Sequence, residues 1–196
     1  MTKKPSLSGG QFKTPQPMTD GGGIDLARLR DMHPLLPADM AGVMVMRAAL
    51  GLQRNRHSSG VGLQMAIENR RHYCALIWPA ADLGAAKQHD DKRITEDGAE
   101  AIALAVAYRT RAWRVVRRMQ QGEHADWLLE DQDKGVRKLV AFEVGGTDQR
   151  SITGPLRDKL VQVAKSVDVD QRWAGVVGFK KPETALHSVE VRTHGR

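Results

Sequence analysis

Apolar positions change period along this chain, and the change marks its elements. Residues 95–112, TEDGAEAIALAVAYRTRA, are Ala-rich and strongly apolar, which predicts a helix largely buried against a sheet. Thr95 or Asp97 can cap it, and Asp97 with Glu100 has capping-box spacing. The period then shortens. WRVVRRM (113–119) predicts a strand, Gln120-Gln121-Gly122 a turn, and ADWLLE (125–130) a second strand. DQDKG is a hairpin loop, VRKLVAFEV (136–144) a third strand, and GGTDQRSITG a loop. Helical spacing returns in PLRDKLVQVAKSV (155–167), at Leu156, Leu160, Val163 and Val167, before a final buried strand in WAGVVGFK (173–180). The tail from Lys181 is expected to add a short edge segment.

The first half is less regular. Residues 1–23 are rich in Gly, Pro, Ser, Thr and Gln and are expected to form a disordered tail. Ile24 to Arg30 predicts a short helix, which MHPLLP interrupts because a proline restricts the residue before it. A helix follows over 38–52, with Met44, Met46 and Leu50 as core filling. RNRHSSG is a polar loop, and its His57, Ser58 and Ser59 match no strand-to-helix nucleophile turn. VGLQMAIENRRHYCALIW predicts a β-hairpin turning at ENRR and stopped by Pro79, and AADLGAAKQHDD a short helix. The chain thus divides into a tail (1–23), an N-terminal helix and hairpin region (24–90) and a core (91–196). The middle region docks on the core sheet, extends it or recognises DNA; pattern alone leaves these open.

Composition narrows the class. The chain has 196 residues, 41% hydrophobic and 27% charged, as in ordinary globular proteins. A net charge of +7 and a pI near 9.8 favour an anionic partner, most simply nucleic acid. The single cysteine, Cys74, excludes an internal disulfide or a cysteine-based zinc site and reads as a small core residue. No apolar run approaches the ~20 residues of a membrane span. Lys3 and Lys4 are followed by no apolar signal core, so a cytoplasmic protein without a membrane partner is expected. No glycine loop is followed by Lys-Ser/Thr, which argues against ATP- or GTP-driven activity.

The chemistry lies in two carboxylates. Glu143 sits inside the apolar run LVAFEV, and Asp126 opens the run WLL. Buried carboxylates are rare unless paired, hydrogen-bonded or metal-bound. Strands joined by a hairpin bring their ends together, and two carboxylates there make a hard-oxygen pocket for Mg²⁺.

The order α-β-β-β-α-β over residues 95–180, with Asp126 on the second strand and Glu143 on the third, resembles the PD-(D/E)XK nuclease superfamily. The resemblance implies an α/β fold with a mixed sheet: an αβββαβ restriction-endonuclease-like core carrying an N-terminal helix and hairpin extension. It also implies an Mg²⁺- or Mn²⁺-dependent nuclease in DNA processing or phage defence, with DNA rather than RNA as the expected partner; the sequence leaves DNA and RNA open. Asp126 and Glu143 would ligate the metal, with the Val144 carbonyl as a further donor and Glu100, or Glu96 one turn earlier, as an extra carboxylate. The pattern departs where it usually has lysine, at Gly145. Some branches carry that lysine on the next helix, which makes Lys159 the candidate, with Gln162 one turn on. Glycines 145 and 146 would otherwise let a phosphate backbone approach. His124, two residues before Asp126, shares its face if the strand alternates. Arg114, Arg117 and Arg118, with Arg109 and Arg111, form a basic patch suited to phosphates. The alternatives are a non-catalytic module of the same fold that binds nucleic acid or protein, and an assembly component whose 24–90 region binds a partner. A homodimer is left open.

Overall fold

One mixed sheet carries the chain. The computed structural model describes residues 22–82, 84, 88–133 and 136–189. The strands are β1 (Ile24–Asp25), β2 (Val61–Ile67), β3 (Arg70–Ile77), β4 (Arg114–Arg118), β5 (Trp127–Asp133), β6 (Val136–Thr147), β7 (Gln171–Gly178) and β8 (Glu183–Ser188). The helices are α1 (Leu29–Met32), α2 (Ala38–Arg54), α3 (Asp91–Arg111) and α4 (Thr153–Val163), with a 3₁₀ turn at Leu26–Arg28 before α1. The eight strands hydrogen-bond in the order β1-β3-β2-β8-β7-β6-β5-β4. β4, β5 and β6 form an antiparallel meander, and β7 returns beside β6 in parallel after α4.

Strand alternation divides the two faces. Val140, Phe142 and Val144 of β6 join the main core with α2 and α3, whereas Ala141 packs with Ala174 of β7, Ala125 and Val163 of α4. Glu143 has the parity of Ala141 and so looks toward α4. α3 is buried along Ala99–Ala107 because small side chains let it lie close to the sheet. Its closest approach is at Gly146, where a Cβ would stand 2.2 Å from the Thr95 carbonyl oxygen.

Several elements differ from the sequence reading. α3 begins at Asp91, and Asp90 caps it by accepting from Lys92 N–H (2.7 Å) and Arg93 N–H (3.1 Å). Neither Thr95 nor Asp97 is the cap: Thr95 donates its hydroxyl to the Asp91 carbonyl (3.0 Å), and Asp97 is buried in an ion pair with Arg47 of α2. Polar residues in the first turn had masked a helix that starts a full turn earlier. Ile24–Asp25 is a strand beside β3 rather than helix, and helix begins only after Asp25 accepts from Ala27 N–H (3.0 Å). The β2–β3 turn is only Glu68 and Asn69, since Arg70 already pairs with Ile67. α4 stops at Val163, so Val167 is 69% exposed and outside the core.

The largest revision is β8. It is no edge segment: it pairs antiparallel with β7 and parallel with β2, joining the N-terminal hairpin to the other strands. The 24–90 region therefore extends the sheet, and α2 packs on α3 in the same core. Cys74 is only partly buried against that core. The expected tail falls, except for Gly22 and Gly23, outside the described residues, as do residues 83 and 85–87 of the helix expected in AADLGAAKQHDD, whose first residues, Ala80 to Asp82, are not helical. Among the described residues, no helix is long and apolar enough to cross a membrane.

Candidate functional site: a carboxylate cluster closed by two cations

The pairing of Trp127 with Phe142 sets Asp126 opposite Glu143 at the next position of the β5–β6 ladder. Hydrogen bonds persist one residue beyond the strand assigned to β5. Asp126 N–H donates to the Phe142 carbonyl (3.2 Å), and its own carbonyl accepts from Met119 N–H (2.9 Å). The Asp126 carboxylate then turns to β6, where Oδ2 accepts from Val144 N–H (2.8 Å). That bond fixes one carboxylate oxygen against the backbone of β6.

Glu143 is 1% exposed in the interior of the sheet, between β5 and β7. Its Oε1 accepts from the Lys159 ammonium at 2.5 Å, and its Oε2 is buried without a hydrogen-bond partner. Burial raises the Glu143 acid to about 7, the Asp126 charge adds to the rise, and Lys159 opposes it.

Gly145 explains how Lys159 gets there. A Cβ at residue 145 would meet Lys159 Cε at 3.1 Å and Cγ at 3.3 Å. The lysine stem from α4 therefore lies across the bare backbone of residue 145 and delivers its ammonium to Glu143 two residues back. A side chain at 145 and this path for Lys159 compete for the same space.

Glu100 approaches from α3. It is 5% exposed, with Oε1 paired to Arg118 at 2.9 Å and Oε2 buried without a hydrogen-bond partner. Its acid is raised to about 7, mainly by burial; Arg118 opposes the rise, while Asp126 and then Glu143 add to it. Arg118 is held over the Trp127 ring at 5.3 Å. Glu100 thus feels the charges of Asp126 and Glu143, Glu143 feels that of Asp126, and two cations, Lys159 and Arg118, close the cluster. A hard divalent cation suits such all-carboxylate donors, and the two orphaned oxygens leave donor capacity for it. Among the described residues no three His, Cys, Asp or Glu side chains stand at metal-holding spacing, so the fit rests on the Asp126–Glu143 pair with Glu100 behind it.

The other expected residues fall less closely together. Glu96 is exposed and paired with Lys92 at 3.7 Å, which leaves Glu100 as the α3 carboxylate. Gln162 is exposed and makes no side-chain hydrogen bond among the described residues. His124 is exposed in the loop before β5 with φ 62°, so strand alternation does not extend to it and does not align it with Asp126. Arg117 is engaged through both terminal nitrogens by Glu123, at 2.8 and 2.6 Å. Arg114 is exposed at the start of β4 and forms no ion pair among the described residues. Sequence reading missed the roles of Arg118 and Trp127 at Glu100. An arginine on an outer strand carries no local sign that it folds back over a helix carboxylate. No family model, curated protein or solved structure matches the chain.

Proposed function

We propose that this protein is a divalent-metal-dependent nuclease of the PD-(D/E)XK kind, acting on nucleic acid, with DNA the expected substrate. The observation that carries this reading is the lysine over Gly145. An active site of this type needs a positive group beside its carboxylates, and the motif position that usually supplies one is glycine. Lys159 comes from the next helix along a path that a side chain at 145 would obstruct, and its ammonium stands 2.5 Å from Glu143. The order α3-β4-β5-β6-α4-β7, with β7 parallel to β6, supports the same reading.

Asp126 and Glu143 would hold Mg²⁺ or Mn²⁺, with Glu100 as the additional carboxylate. When bound, the metal supplies charge neutralisation at the phosphodiester and lowers the pKa of a water. The chain's own groups do the positioning. Val144 N–H fixes Asp126, Lys159 orients Glu143 and adds positive charge beside it, and Arg118 offsets the charge of Glu100.

The test is cleavage of single-stranded DNA, double-stranded DNA and RNA with Mg²⁺ or Mn²⁺ added after EDTA treatment. Metal-dependent cleavage is expected, and Glu143→Gln should abolish it with an unchanged circular dichroism spectrum. A wild-type protein that cleaves none of these with either metal contradicts the reading and leaves a binding-only module.

A further inference from the structure

Away from the carboxylates, a cavity of about 480 Å³ opens between the β2–β3 turn and the C-terminal end of α3. Its lining holds Arg70 and His72 of β3 and Arg109 and Arg111 of α3. Arg109 lies nine residues beyond Glu100 on the same helix, so at ~1.5 Å per residue the cavity begins about 14 Å along α3 from the candidate active site. We propose that this cavity is a second site, which binds the phosphate group of a nucleotide, free or within a strand.

Four observations carry the proposal. Cationic groups from two separate elements converge on one cavity, and the volume is in the range of small-ligand sites. The one carboxylate of the lining, Glu68, is engaged elsewhere: Oε1 accepts from Ser188 N–H (2.8 Å), and Oε2 lies 3.7 Å from His187 Nδ1. Arg111 is already oriented, with its guanidinium 4.6 Å from the Trp173 ring centre and 5.8 Å from that of Trp113, so little side-chain freedom remains to be lost on binding. Neither Arg70 nor Arg111 forms an ion pair among the described residues. The positive potential is felt locally: burial, and then the Arg70 charge, hold His72 below its ordinary value. Cations at a helix C-terminus favour the dipole, which accounts for Arg109 and Arg111. It does not account for Arg70 and His72 arriving from β3. Guanidinium groups in a planar fork are suited to phosphate oxygens.

This site stands independently of the nuclease reading, and its test uses no cleavage. The full chain in EDTA is titrated by calorimetry with pyrophosphate, ADP and a 5′-phosphorylated single-stranded oligonucleotide. Saturable binding of at least one probe is expected. Arg70→Ala and Arg111→Gln should each weaken it about tenfold, on the order of one lost charge-assisted hydrogen bond, while Arg157→Ala on the exposed face of α4 leaves it unchanged. Arg70 is at the exposed hairpin end, so its variant serves should Arg111→Gln disturb the tryptophans. Binding of pyrophosphate or ADP identifies a free phosphate ligand, and binding of the oligonucleotide alone identifies a strand. No saturable binding of any probe, or an equal loss in Arg157→Ala, overturns the proposal.

Discussion

Lys159 and Glu143 meet at 2.5 Å although one comes from a helix and the other from the interior of the sheet. The contact joins two residues that look unrelated in the chain, a glycine two positions after Glu143 and a lysine in the following helix. Glycine at 145 gives the stem its path.

The two neighbouring glycines should therefore respond differently to substitution. Gly145→Ala brings a methyl to 3.1 Å from a flexible lysine stem, which can yield by a few tenths of an ångström. The fold should survive with a displaced ammonium and a reduced cleavage rate. Gly146→Ala drives a Cβ to 2.2 Å from the Thr95 carbonyl oxygen and 2.9 Å from Ala99 Cβ, so α3 itself must move. A loss of about 1–3 kcal/mol or more is expected, as for overpacking against backbone. Urea denaturation of both variants checks this, and equal destabilisation would contradict the close packing of α3 at Gly146.

The raised acids predict an unusual pH response. Glu100 and Glu143 each bind a proton up to about pH 7 in the folded chain, but only to the ordinary 4.5 when unfolded. Between those values the folded state holds more protons, so these groups make stability fall as pH rises through pH 4.5–7. His33 acts the other way. It is buried, with its Nε2 3.2 Å from the Leu104 carbonyl, and burial depresses it to about 4, so its contribution rises from pH 4 to 6.5. The informative quantity is thus the melting-temperature difference between wild type and Glu143→Gln, which should widen against wild type as pH increases from 5 to 7.5. Added Mg²⁺ should stabilise wild type more at pH 8 than at pH 6, because ligation requires deprotonated carboxylates. A difference that is flat with pH would contradict the buried acid at 143.

If the chain binds nucleic acid as proposed, ion pairing among the β4 arginines predicts which of them makes the contact. Arg117 and Arg118 are committed to Glu123 and Glu100, whereas Arg114 is exposed and forms no ion pair among the described residues. Arg114→Ala should lower the slope of log K against log salt by about one, and Arg117→Ala by less. Fluorescence anisotropy over a salt series decides it, and equal slopes for wild type and Arg114→Ala would remove Arg114 from the interface.

Local patterns were enough to read the meander, α4 and β7, because alternation and helical spacing are properties of neighbours in sequence. They also put Asp126 and Glu143 on neighbouring strands, although β6 runs on past Glu143 to Thr147; Lys159 came from the family resemblance and not from local pattern. Contacts between distant segments were not legible. β8 pairs with β2 across more than a hundred residues, and nothing in TALHS distinguishes an interior strand from an edge one. The hold of Arg118 on Glu100, the Val144 N–H taken by Asp126 and the cavity joining β3 to α3 depend on the same kind of distant contact.

Moving the lysine back to residue 145 tests the proposed role of Lys159 most directly. Cleavage rates at saturating Mg²⁺ would be compared for wild type, Lys159→Ala, and Lys159→Ala combined with Gly145→Lys. The single variant should lose roughly 10²–10⁴-fold, on the order of one positioned proton-transfer or electrostatic group, with nucleic-acid affinity little changed. Removing the Lys159 stem clears the space above residue 145, so the combined variant should regain part of that rate. Full activity in Lys159→Ala would contradict the account.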